Sequence, residues 1–315
     1  MSINLKEAAE FLKANDFFTI LCHANPDGDT LGSAFALCGA LQLMGKSSRV
    51  LCADKPSDRF DFLKSAITEQ AFPDTAEETV ITTDVADCEL LGDFKDKYKS
   101  KVALCIDHHV SNRAYAEKTL LDETAAACAE IVWEIIKQLP ITPTKGIAAA
   151  VYTGISTDTG CFRYSNTTAK SHIITAELME YDFDISSINY LMFDMKTKER
   201  VELELNAYSS IEYHFGGKCA VITLTKDMLD KVDTEDANNV SGIPRQIEGV
   251  EAGIVLKERD KDLWKASIRT SPKVDAQQIS GALGGGGHKR AAGCTIKGTY
   301  DFVKSELLRE LGKQI

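Results

Sequence analysis

An α/β fold is predicted for the first half of this chain, because three short apolar runs each stop abruptly at Asp or His. Val102 to Ile106 runs into Asp107-His108-His109, Phe17 to Cys22 into His23-Ala-Asn-Pro-Asp27-Gly-Asp29, and Thr79 to Thr83 into Asp84. Unbroken runs rich in β-branched residues suit strands buried on both faces of a parallel sheet. Charge then begins where such strands would emerge, at the carboxyl edge where open α/β sheets bind ligands. His and carboxylate side chains converging from several strand ends are what a metal site needs.

The elements follow in order. Leu5, Ala8, Ala9 and Leu12 share one face over 4–15, which predicts a small amphipathic helix before the first strand. In the motif after that strand, His23 and Asp27 are four apart and Asp29 two further on, with Pro26 and Gly28 shaping the turn. Alternate positions in an extended turn let Asp27 and Asp29 serve neighbouring points, as two metal ions would require. Capping of the helix Leu31 to Met44 by Asp29 or Thr30 would explain one acid and leave His23 and Asp27 unexplained. Arg49 to Ala53 is expected as a second strand and Thr79 to Thr83 as a third. Apolar helices are expected over Ala125 to Leu139 and Lys145 to Ile155. The second leads into Gly154-Ile-Ser-Thr-Asp158-Thr-Gly160, where Asp158 is either a ligand or a helix cap. Thr168 to Tyr181 is helical again, and there the α/β pattern stops.

A charged, helix-prone stretch over 193–207 suits a linker. Beyond it Lys218 to Thr225, Val250 to Glu258 and Trp264 to Thr270 are expected as strands of a smaller α+β domain. The assigned domains are therefore 1–192, a linker 193–207, and 208–315. Near the end, Gly284-Gly-Gly-Gly287 is followed at once by His288, Lys289 and Arg290. Glycines let backbone N–H groups close on an anion while cations neutralise it, so the box suits a phosphate cradle. It lacks the ending of a nucleotide P-loop and the strand-first context of a dinucleotide fingerprint.

Bulk composition narrows the partners. The 315 residues suffice for two domains, and 47 acidic against 36 basic residues give a net charge of −11. Such a field repels long duplex nucleic acid, so a nucleic-acid substrate should be short or single-stranded and held locally. Nine cysteines without a Cys-x-x-Cys pair, several in apolar runs, indicate reduced core residues. Charges at Lys6, Glu7, Glu10 and Lys13 break any signal core, and no stretch approaches a membrane span, so a cytoplasmic location is expected.

The ordered set His23-x-x-x-Asp27-x-Asp29, Asp84, Asp107-His108-His109, Asp158 and Gly-Gly-Gly-Gly-His288 resembles the DHH phosphoesterase superfamily with a DHH-associated carboxyl domain, over essentially the whole chain. The resemblance is greatest to stand-alone members that hydrolyse very short RNAs (nanoRNA) and remove the 3′-phosphate of phosphoadenosine phosphate (pAp). It implies an active site in the cleft between a parallel-sheet domain and a smaller domain, with two divalent ions, usually manganese. One ion would be held by His23, Asp27 and Asp84, the other by Asp29, Asp84, His108 and Asp158. Imidazole and carboxylate ligands suit a borderline-hard ion such as manganese. A water activated between the ions would be the nucleophile. Asp107 would orient His108, and His109 would donate to the phosphate or leaving oxygen. Arg269 and Ser271, with Gly286, Gly287 and His288, would bind substrate.

The alternative within enzymes is a phosphodiesterase for linear or cyclic dinucleotides, which shares every motif. The glycine box argues against an inorganic pyrophosphatase, and the complete ligand set against a silent nucleotide sensor. Homodimerisation is left open.

Overall fold

The structure is a computed structural model that describes residues 1–68, 72, 77–232, 237 and 239–315. It divides into two compact units, Met1–Met195 and Lys196–Ile315.

In the first unit the chain runs α1 (Leu5–Ala14), β1 (Phe18–Leu21), α2 (Gly28–Leu43), β2 (Ser48–Leu51), β3 (Thr79–Thr83), α3 (Lys95–Tyr98), β4 (Val102–Asp107), β5 (Lys118–Leu121), α4 (Cys128–Ile136), α5 (Lys145–Asp158), α6 (Ala169–Met179) and α7 (Ile185–Asn189). The amphipathic pattern of α1 buries Ala8, Ala9 and Leu12, and Asn4 and Glu7 cap it reciprocally. All four residues of β1 are buried, as the unbroken apolar run requires. The five strands pair in parallel in the order β2-β1-β3-β4-β5. The order reverses direction between β1 and β3, so the loops after these strands diverge and open a crevice at the carboxyl edge.

Two helices begin elsewhere than the sequence suggests. Helix α2 starts at Gly28 rather than Leu31, because Asp27, not Asp29 or Thr30, is its cap: Asp27 Oδ1 accepts from the N–H groups of Asp29 (3.0 Å) and Thr30 (3.1 Å). Helix α4 starts at Cys128 rather than Ala125, since Ala127 is extended and the carbonyls of Ala125 and Ala126 are taken by the side chains of His108 and Asn166. Helix α5 continues past Ile155 to Asp158, which therefore sits at a carboxyl-terminal helix end and not at an N-cap.

Helices α2 and α5 touch through glycine. A Cβ at Gly32 would strike the Ala150 carbonyl, and one at Gly154 would lie 2.5 Å from Ala129 Cβ and 2.8 Å from Asp29 Oδ1. This close approach seats the first turn of α2 against α4 and α5.

The second unit holds α8 (Lys198–Ser209), β6 (Glu212–His214), β7 (Cys219–Leu224), α9 (Lys226–Leu229), β8 (Ala252–Asp260), β9 (Leu263–Thr270), α10 (Ala276–Ala282), β10 (Gly286–His288), β11 (Ala291–Lys297) and α11 (Tyr300–Leu311). The stretch expected as a linker splits into a π-helical turn, Tyr190–Asp194, and α8, whose Leu203 and Ala207 pack with Ile222, Leu224 and Val255 of this unit. Its mixed sheet has the order β10-β11-β9-β8-β7-β6, with β7 and β8 parallel and the other neighbours antiparallel. One face packs Ile254, Leu256, Ala266 and Ile268 with Ile279, Val303 and Leu307 of α10 and α11. Among the described residues no helix is long and apolar enough to cross a membrane.

Overpacking a helix contact of this kind costs about 1–3 kcal/mol. Gly154→Ala should lower unfolding stability by that amount. Gly281→Ala, in a helix where a Cβ meets nothing within 4 Å, should be neutral or slightly stabilising. Denaturant titration of both variants checks the pair, and a neutral Gly154→Ala would contradict the close approach.

Candidate active site

Each cluster member is placed by an element already described. The loop after β1 carries His23, Asp27 opens α2, Asp29 lies in its first turn, Asp84 follows β3, Asp107 ends β4 with His108 and His109 next, and Asp158 ends α5. Three groups of donor atoms lie within 4.8 Å of one another: His23, Asp27 and Asp84; Asp29, His108 and Asp158; and Asp84, His108 and His109. The side chains expected to hold metal thus come together, and Asp84 belongs to two groups.

Backbone contacts aim the histidines. His23 Nδ1 lies 2.8 Å from the Ala24 carbonyl, and His108 Nδ1 lies 3.2 Å from that of Ala125. A carbonyl only accepts, so each Nδ1 carries the proton and each Nε2 faces the acids. His23 Nε2 is 3.5 Å from Asp27 and 3.8 Å from Asp84. His108 Nε2 is 3.4 Å from Asp84, 3.7 Å from Asp158 and 3.8 Å from Asp29.

The acids fall into two kinds. Asp29 is buried, with Oδ2 accepting from Cys128 N–H at 2.6 Å and Oδ1 from Ala129 N–H at 2.9 Å. It thereby caps α4, whose own N-cap residue Ala127 supplies no side chain for the task. Asp107 is also buried: Oδ1 accepts from His109 Nδ1 at 2.8 Å and Oδ2 from Asn112 Nδ2 at 2.6 Å. It therefore orients the ring of His109; toward His108 it reaches only the backbone N–H, at 2.8 Å, and the His108 ring is set by Ala125 instead. This corrects the expectation that Asp107 orients the His108 ring.

Asp84 is the opposite case. It is 3% exposed, yet its Oδ1 has no hydrogen-bond partner among the described residues. Its φ of 62° is left-handed, a strained backbone for a non-glycine residue. Asp158 adds a carboxylate at a helix carboxyl end, where the dipole opposes negative charge.

Protonation reflects this crowding. Burial pulls His23 and His108 down, but the facing carboxylates overcome it and raise them to about 9 and about 10. Burial, then the neighbouring acids, pushes Asp29 up, and burial lifts Asp158 to about 6. Asp27 falls, since contact with His23 outweighs its burial. Burial and mutual repulsion thus disfavour the charged forms of Asp29 and Asp158, while the histidines are favoured as cations. A concavity lined by Asn15, Phe17, Glu78, Lys101 and Glu117 opens at the amino ends of the same strands. No such group of His, Cys, Asp and Glu gathers there among the described residues, so the chemistry belongs to the carboxyl edge.

Comparison with known proteins agrees with this geometry. Residues 18–155 match the model of the DHH family, N-terminal domain, and residues 216–315 that of the DHHA1 domain. The chain is 33% identical to the bifunctional oligoribonuclease and PAP phosphatase NrnA of Thermus thermophilus, over 98% of its own length and 94% of that protein. It belongs to the DHH family. The NrnA of Bacillus subtilis is 27% identical over 87% of both chains. An exopolyphosphatase-related protein from Bacteroides fragilis shares the fold, with a TM-score of 0.82 at 22% identity over 98% of this chain and 95% of that one.

In the DHHA1 domain of this family member, the glycine box is a hairpin and not a loose loop. Register places Arg269, Ala291 and His288 in one row across β9, β11 and β10, with Ser267, Gly293 and Gly286 in the next row on that face. Gly285 is demanded by packing against Gly293, Cys294 and Ser280, and Gly287, at φ 135°, by the Ala291 carbonyl and Ala292. Ala291 stands between Arg269 and His288 in their row, and a Cβ at Gly286, in the next row beside His288's strand position, would meet nothing within 4 Å. Ser271 follows β9, and its Oγ accepts from Lys273 N–H at 3.3 Å. Arg290 is committed to structure, donating to the carbonyls of Ser271, Pro272 and Val274.

Sequence reasoning missed Asn112, which tethers Asp107, and Asn166, which donates to the carbonyls of Asp158 (3.0 Å) and Ala126 (3.1 Å). A glycosylation-type Asn166-Thr-Thr was the only local signal at the second.

Asp107 raises the pKa of His109 by its hydrogen bond, ahead of the opposing effect of burial. Asp107→Asn should move the His109 titration midpoint downward in the metal-free protein. NMR titration of the imidazole C–H signals checks this, and an unmoved midpoint would contradict the pairing.

Proposed function

We propose that this chain is a phosphoesterase dependent on divalent metal ions, manganese by preference, acting on short single-stranded oligoribonucleotides and on the 3′-phosphate of pAp. The observation that carries the reading is the buried Asp84 Oδ1, which makes no hydrogen bond among the described residues, has His108 Nε2 and His109 Nδ1 each 3.4 Å away, and stands among three further carboxylates. A buried acceptor without a donor is costly unless a cation completes it. The activity named for its relatives, oligoribonuclease and PAP phosphatase, supports the substrate class.

In this reading His23, Asp27 and Asp84 hold one ion, and Asp29, Asp84, His108 and Asp158 the other. The bound ions supply an activated water and neutralise phosphoryl oxygens. The Nδ1 anchors of His23 and His108 keep both Nε2 atoms on the acids, and the α4 N-terminus fixes Asp29. Asp107 holds His109 by Nδ1 and raises its pKa, and in the imidazolium so favoured Nε2–H is left to donate to a phosphoryl or leaving oxygen. Arg269 and His288, standing either side of the small residue Ala291, grip a second phosphate.

Two comparisons test the assignment. Asn tolerates the left-handed backbone, so Asp84→Asn should keep the fold while binding less metal and losing turnover. His109→Ala should keep its metal and lose roughly 10²-fold or more in rate. Metal analysis alongside turnover separates the two, and equal metal loss in both would show the roles to be wrongly divided.

Specificity has its own test. Arg269→Ala or His288→Ala should lower kcat/KM for pAp relative to bis-p-nitrophenyl phosphate by about 10- to 150-fold, the worth of a charge-assisted contact. An unchanged ratio would place the glycine box outside substrate recognition.

A further inference from the structure

The segment 159–167 returns to the cluster in a way that the metal-site reading does not use. Gly160, Cys161 and Phe162 have φ of 57°, 57° and 61°, three consecutive left-handed residues of which two carry side chains. Such a backbone persists only when its surroundings hold it. Here Cys161 N–H donates to Ser156 O at 2.7 Å, Phe162 stacks on His172 with centroids 5.1 Å apart, and Arg163 Nε donates to Gly160 O at 2.6 Å. Asn166 ties the far end to the carbonyls of Asp158 and Ala126, next to the residue that anchors His108.

The product of this bracing is one exposed aromatic ring. Tyr164 lies against Gly160, two residues beyond Asp158: a Cβ at position 160 would strike its ring atoms Cζ, Cε1 and Cε2. The ring is nevertheless 59% exposed, so one side is fixed on the glycine while the remainder faces solvent. Its hydroxyl has no hydrogen bond among the described residues, so the ring is held by packing and by the loop. A surface tyrosine of no consequence would not need a strained loop and a glycine beneath it.

We propose that Tyr164 is a stacking platform for the nucleobase of the nucleotide whose phosphate is cleaved. The inference rests on the phosphoesterase reading and adds where the base is held. Every base has a π-face, so the platform accepts purines and pyrimidines alike and selects nucleotides from other phosphate esters. It also costs little entropy on binding, because the ring is already placed.

The test compares pAp with its base-free counterpart, ribose 3,5-bisphosphate, using the manganese-loaded full chain. The ratio of kcat/KM values, pAp over the base-free compound, should fall about 5- to 150-fold in Tyr164→Ala, the range of one base stack, chiefly through KM. Tyr164→Phe and Tyr164→Trp should keep the wild-type ratio. An unchanged ratio in Tyr164→Ala overturns the platform. So does an equal loss on both compounds, which would make the loop a support for Asp158. If the wild-type protein turns over neither compound, the phosphoesterase reading fails and the platform falls with it.

Discussion

Four carboxylates at one sheet edge repel one another, and the architecture of the first unit is organised to hold them there. Asp27, Asp29, Asp84 and Asp158 arrive from the start of α2, the end of β3 and the end of α5, within reach of the Nε2 atoms of His23 and His108 and, at Asp84, of His109 Nδ1. Like charges this close in a partly buried site disfavour ionisation, which is why burial and neighbours lift Asp29 and Asp158. The fold answers two of them, Asp27 and Asp29, with fixed backbone donors. Helix α2 donates to Asp27, helix α4 donates to Asp29, and the parallel register of β3 and β4 brings Asp84 beside His108.

What distinguishes Asp84 is that the fold does not answer there. Asp29 and Asp107 have both oxygens occupied by N–H donors, so their orientation is settled by the protein itself. Asp84 is equally buried and keeps one oxygen unpartnered on a strained backbone. Local strain and an unmet acceptor at the crossing point of two ligand groups are costs that folding alone gives no reason to bear. A cation shared between the groups gives one.

Much of this was legible in the sequence because buried parallel strands leave a plain signature: apolar runs that end where chemistry begins. β3 matched its expected bounds, and β1, β4 and the strands β7, β8 and β9 came within one or two residues of theirs. The partners of Asp29 were not legible, since Cys128 and Ala129 lie 99 and 100 residues away and donate through backbone. The same distance argument hides the role of Ala125 toward His108. Helix α4 looked longer because Ala125, Ala126 and Ala127 favour helix, yet His108 and Asn166 take the carbonyls of Ala125 and Ala126, and Ala127 is extended ahead of the N–H groups that Cys128 and Ala129 give to Asp29. Strand β5 is four residues long, with a polar and an apolar residue on each face, too short to stand out. The glycine box reads as a phosphate cradle without a secondary structure of its own, and packing at Gly285 and Gly287 makes it a hairpin. Helix α11 did carry a signal, with Thr299 as cap and Val303, Leu307 and Leu311 on one face.

The claim at the centre of this account is that Asp84 is completed by divalent cations. Anomalous scattering from crystals grown with manganese tests it most directly. The account predicts two peaks, both in contact with Asp84, one beside His23 and one beside His108. A single peak away from Asp84, or none at saturating manganese, would contradict it.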